Sequence, residues 1–137
     1  MTISFDSVRD IPLDTDADVV QRLEAVLEGA MRRQVWLMFL DENGHQLPVL
    51  YPSYLTQKPR KRDAAALGHF MRVLCDELEA EAAVVTYERR GRTDLTEADR
   101  VWLRCLRDAC LAADVPFRGP FLLHSGGVVA VPPDDYA

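Results

Sequence analysis

The chain has 137 residues, with 22 acidic against 16 basic side chains and a formal net charge of −6. It is 48% hydrophobic, 28% charged and 8% aromatic, the composition expected of one globular domain rather than two. That apolar content excludes a disordered chain, and the longest apolar run, residues 35–40, is far short of the ~20 residues a spanning helix needs.

The opening residues, MTISFDSVRD, have neither the basic start nor the apolar stretch of a secretory signal, so a cytoplasmic location is expected. Residues 1–15 read as an irregular segment and residues 16–137 as a single domain. Thr15, with Asp18 three residues on, predicts a capped helix start. Val19/Val20, Leu23, Val26/Leu27 and Ala30/Met31 then recur at helical spacing, giving a helix over 16–31. Val35-Trp36-Leu37-Met38-Phe39-Leu40 is short, apolar and rich in strand formers, and reads as a buried strand. Asp41-Glu42-Asn43-Gly44 supplies a hairpin turn into a return strand at 45–51, where Pro48 points to a sheet edge.

Residues 52–62 hold two prolines and the run Lys58-Pro59-Arg60-Lys61-Arg62, and read as a loop. Leu67, Phe70/Met71, Leu74 and Leu78 mark a helix over 63–80, followed by a buried strand at 82–87. A polar loop with Gly91 leads to Thr96, which caps a third helix with Asp99 three residues on. Trp102, Leu106, Ala109/Cys110 and Ala113 form its apolar stripe. Residues 117–123, the turn Ser125-Gly126-Gly127 and residues 128–131 make a last hairpin, stopped by Pro132-Pro133. The order α-β-β-α-β-α-β-β predicts an α/β (α+β) domain with one mixed sheet flanked by helices.

Few residue groups point to chemistry. Cys75, Cys105 and Cys110 lie within helical patterns and form no C-x-x-C pair, so they read as buried thiols rather than ligands. His45, His69 and His124 are scattered without ligand spacing or a readable triad, and His124-Ser125 beside Asp134/Asp135 is at most a fragment of one. No phosphate-loop motif exists. Trp36, Phe39 and Trp102 read as core. The charge is segregated: residues 1–31 carry −5, residues 32–62 carry +4, residues 63–99 carry −5, and residues 100–137 balance. An acidic protein needs a local basic patch to hold nucleic acid. The one grouping of that kind is Tyr51 and Tyr54 beside Lys58–Arg62.

This element order, read with residues 82–131, resembles the RadC-like branch of the JAB/MPN metalloprotease-like fold, with its cytidine-deaminase-like layering. In that family a strand ends in His-x-His-Pro-x-Gly, and a zinc-binding Asp follows ten residues after the second His. Here the stretch is Thr86-Tyr87-Glu88-Arg89-Arg90-Gly91, with ten residues between Glu88 and Asp99. Thr96 stands at the family's Ser, and residues 35–44 are similar to its opening strand and turn. The ending Gly-Val-x-x-x-Pro-Pro-Asp-Asp is similar to that of uncharacterised bacterial proteins.

The departures from the pattern bear on the chemistry. Catalytic zinc takes about three protein ligands; Thr86, Glu88, Thr96 and Asp99 would offer two carboxylates, and Gly119-Pro120 replaces the family's Asp-His pair. The resemblance therefore implies a degenerate, metal-free, cofactor-free and non-catalytic domain that binds a protein partner or itself, as a homodimer. Two other functions stay open. One is an enzyme using Glu88 and Asp99 with an anion site at Arg89, Arg90 and Arg92. The other is single-strand nucleic-acid binding through Lys58–Arg62.

Overall fold

The computed structural model describes residues 5–137, and its first element is a single helical turn, α1 (Phe5–Val8), inside the segment expected to be irregular. Arg22 holds it in place. Its buried guanidinium donates to the Val8 and Ile11 carbonyls at 3.1 Å each and to Gln46 Oε1 at 2.9 Å. Residues 1–4 lie outside the described residues.

Helix α2 (Asp16–Val26) starts where its cap predicts: the Thr15 hydroxyl accepts from the Asp18 N–H, and the Asp18 carboxylate accepts from the Thr15 N–H, both at 3.1 Å. It ends five residues before the apolar pattern does. Leu27 turns extended, and the N–H groups of Met31 and Arg32, which a longer helix would keep, donate instead to Glu88.

Strand β1 (Gln34–Leu40) and strand β2 (Gln46–Tyr54) form the first hairpin; β2 runs three residues past its expected end, pairing as far as Gln34 opposite Tyr54. Helix α3 (Lys61–Leu78) begins where the Asp63 carboxylate accepts from the Arg60 N–H at 2.8 Å, and ends at Glu79 in the left-handed region. Strand β3 (Ala82–Glu88) leads to helix α4 (Glu97–Ala112), capped by Thr96 as expected. Strands β4 (Phe117–His124) and β5 (Gly127–Ala130) and a 3-10 turn at Pro133–Asp135 complete the chain.

The strands form one five-stranded mixed sheet in the order β2-β1-β3-β4-β5, with only the β3–β4 pair parallel. Alternation along the strands then sorts the core into two layers. Leu37, Phe39, Val85, Tyr87 and Leu122 face α3 and α4, while Met38, Val84, Phe121 and Leu123 face α2. This is an α+β architecture with helices on both faces of the sheet.

Both sheet edges are blunted. On β2, Pro48 is joined by Pro52, and neither has an N–H to offer a further strand. On β5, which is only four residues long, the Val128 N–H donates to Glu24 Oε2 at 3.1 Å. Among the described residues no helix is long and apolar enough to cross a membrane.

Helices α3 and α4 touch at Gly68, where a Cβ would come within 2.7 Å of the Ala109 carbonyl oxygen and 3.2 Å of the Ala113 Cβ. The glycine is there for helix contact. Gly68→Ala must push the helices apart, and the expected loss is about 1–3 kcal/mol in chemical denaturation, as for other overpacked contacts.

Candidate functional site

The motif-bearing residues gather where β3 ends. The register pairs Gln34 with both Tyr54 and Glu88, so the start of β1 and the ends of β2 and β3 lie together. The N-terminus of α4 joins them, because Asp99 reaches back to Tyr87 and Arg89.

Successive strand residues point to opposite faces, and here that decides the chemistry. Glu88 faces the α2 side with Thr86 and Trp36. Tyr87 faces the α4 side, where Asp99 is. The structure therefore separates the two carboxylates that spacing alone had paired. Asp99 meets Tyr87 and Arg89, one residue out of step with the Thr86/Glu88 pair of the motif, and a one-residue step in a strand changes the face.

Each carboxylate is fully engaged on its own side. Glu88 is 2% exposed; its Oε2 accepts from the Met31 N–H at 2.7 Å and the Arg32 N–H at 3.1 Å. Its Oε1 accepts from Gln34 Nε2 at 2.9 Å and Trp36 Nε1 at 2.8 Å. A carboxylate has about four acceptor positions, and four donors fill them.

Asp99 is 1% exposed; its Oδ1 accepts from the Tyr87 hydroxyl at 2.9 Å. Its Oδ2 accepts from Arg89 Nε and the Thr96 N–H, each at 3.0 Å. Arg33, half-buried, adds a hydrogen bond to the Tyr87 oxygen and stands 3.7 Å from Asp99 Oδ1. Burial pushes the Asp99 carboxyl up, but the bonds from Arg89, Thr96 and Tyr87 outweigh it and hold the group below the ordinary carboxylate range. Burial and the Asp99 charge raise the Tyr87 phenol well above its usual value.

These contacts answer the metal question from the donor set. Among the described residues no three His, Cys, Asp or Glu side chains converge. Thr86 Oγ1 is buried without a partner, Glu88 has no acceptor position left, and the cation at Asp99 is the Arg89 guanidinium. The residues present do not fit zinc.

The arginines of the following loop are partly committed within the protein. Arg89 is buried and spends its remaining donors on the carbonyls of Arg92 and Asp94, the latter at 3.0 Å. Arg90 is exposed but donates its Nε to the Met31 carbonyl at 2.9 Å, and Arg92 is exposed as well. The α4 N-terminus is filled by Thr96 and Asp99.

Other sequence candidates disperse. His124 Nδ1 accepts from the Gly126 N–H at 3.0 Å and Ser125 Oγ from the Gly91 N–H at 2.8 Å, so the two only brace their loop. Cys75 and Cys110 are buried and Cys105 half-buried, all as free thiols; burial pushes the Cys110 thiol up to about 12. Phe39 and Trp102 are core, and Trp36 is half-buried with its N–H on Glu88.

The structure does unite one group. Tyr51, Tyr54 and Arg60 border an open cleft of about 290 Å³ between β2 and α3, with Phe70 and Leu67 on its wall and Trp102 at its base. Sequence reasoning named the tyrosines and the basic run but not Arg33, Gln34 or the cleft wall. Gln34, a polar residue opening an apolar strand, was the available signal. Compared with known proteins, the chain matches no family model and no curated protein.

Asp99 makes acid stability measurable. Its pKa is lowered on folding, so its contribution is complete above the unfolded value near ~4 and is lost as pH falls through the folded value. Asp99→Asn should cost about 3–5 kcal/mol near neutrality by stranding Arg89. Urea titrations at several pH values should show the wild-type advantage shrinking only below about pH 4.

Proposed function

We propose that this chain is a RadC/JAB-like domain in which the metal position has become a structural ion pair, and that it acts in the cytoplasm by binding another protein rather than by catalysis. Supporting the fold relationship are the element order, the mixed sheet with strand order β2-β1-β3-β4-β5, and the placing of α2 on one face and α3 with α4 on the other. The observation that carries the functional reading is the 3.0 Å contact between Arg89 and Asp99. Where the resemblance places a dication against the helix carboxylate, this chain places the Arg89 guanidinium.

A paired-carboxylate enzyme is disfavoured because Glu88 and Asp99 sit on opposite faces of β3, each saturated with donors. Strand-to-strand homodimerisation is disfavoured by Pro48 and Pro52 on one edge and Glu24 on the other. A different protein as partner is the reading that remains.

Cobalt tests the loss of the metal site, because tetrahedral cobalt gives a visible absorption band. The expected result is no band on titrating the protein with cobalt, and no change in thermal unfolding with zinc. A tetrahedral spectrum that vanishes in Asp99→Asn would overturn the proposal.

A further inference from the structure

The cleft beside Tyr54 carries an inference that rests on the protein-binding reading and deepens it. We propose that it is the docking site for an acidic, extended peptide segment that seats one large apolar side chain against the packed Tyr51–Phe70 pair.

Exposure marks the surface first. Tyr54 is 72% and Tyr51 42% exposed, both large aromatics within the last four residues of β2. They do not lie loosely: the Tyr51 ring packs on Phe70 with centroids 4.8 Å apart, and the Arg32 guanidinium sits 5.0 Å from the centre of the Tyr54 ring. Trp102 donates its N–H to the Thr56 carbonyl at 2.9 Å, fixing the loop that closes the cleft. Aromatic side chains already ordered in the free protein lose little entropy on binding, which is what a recognition anchor needs.

Charge selects the ligand. No acidic residue occurs between Asn43 and Arg62, while Lys58, Arg60 and Arg62 do. Arg60 and Asp63, both in the cleft lining, pair with each other, and the Arg32 guanidinium stacks on Tyr54 at its mouth. With that pair self-neutralised, Arg32 and the bases of the 58–62 run leave the rim net positive on a protein whose total charge is −6. An acidic segment gains at the rim, and a basic one is repelled there.

Main-chain pairing with β2 is closed off by Pro48 and Pro52, so recognition falls to side chains. The volume, about 290 Å³, is at the lower limit of small-molecule pockets and suits one or two side chains. Single-stranded nucleic acid fits less well: one face of each tyrosine is already occupied, which limits base stacking. A second copy is left as an outcome of the test: the opposite end of the molecule supplies acid at Asp41, Glu42, Glu79 and Glu81, and the exposed Ile11 lies beside its β1–β2 turn.

Fluorescence anisotropy with three labelled probes decides the matter: a peptide of alternating glutamate and phenylalanine, its lysine counterpart, and oligo-dT. The wild type should bind the acidic peptide, more weakly as salt rises, and neither of the others. Tyr54→Ala and Arg60→Glu should each weaken it about tenfold or more while leaving thermal unfolding unchanged. Preference for oligo-dT, equal binding of both peptides, or insensitivity to both substitutions would overturn the proposal. So would salt-dependent dimerisation in light scattering that Tyr54→Ala abolishes, because the occupant would then be a second copy. Absence of peptide binding by a protein that also ignores cobalt removes the cleft assignment alone; the non-catalytic reading falls only to the metal.

Discussion

The structure depends on keeping a negative charge at Asp99 where almost no water reaches it. An isolated buried carboxylate is far too costly to survive, and truncating one member of a buried pair is among the most damaging changes a fold can suffer. The chain meets that requirement by bringing three elements to one oxygen pair. The α4 cap contributes the Thr96 N–H, the end of β3 contributes Tyr87, and the following loop contributes Arg89. None of these can shift without exposing the charge, so the network fixes how α4 meets the sheet.

Glu88 does the corresponding task on the other face. Its four donors come from the α2–β1 connection and from β1, so a carboxylate at the end of β3 positions a loop more than fifty residues earlier in the chain. Hydrogen bonds to a charged acceptor are about twice as strong as neutral ones, which suits a loop without regular structure. Glu88 and Asp99 therefore tie the layers on its two faces to the end of β3.

Much of the fold was legible because it is local. The caps at Thr15 and Thr96, the Asn43-Gly44 turn and the edge position of Pro48 each follow from a few adjacent residues. The end of α2 was not, because the N–H groups that stop it are captured by Glu88, a partner 56 and 57 residues away. The site failed for a related reason. Counting residues from Glu88 to Asp99 preserves a spacing but says nothing about which strand face meets the helix. That depends on the β1–β3 register and on α4 packing against Tyr87, both long-range facts. Gln34 and Trp36 on one face, and Arg33 on the other, show their roles only once that register is known.

The fold also changes the meaning of the net charge. Charges from different blocks of the sequence are brought together at each end: Arg32, Arg60 and Arg92 lie where β1 begins and β2 and β3 end, while Asp41, Glu42, Glu79 and Glu81 lie at the other. A seven-residue strand separates the two by ~23 Å, since each residue advances ~3.3 Å. At physiological salt, exposed charges beyond ~8 Å are largely screened from one another. A ligand arriving at the Tyr54 cleft therefore feels the nearby arginines and lysine and little of the acidic end, so a total of −6 is a poor guide to what this surface attracts.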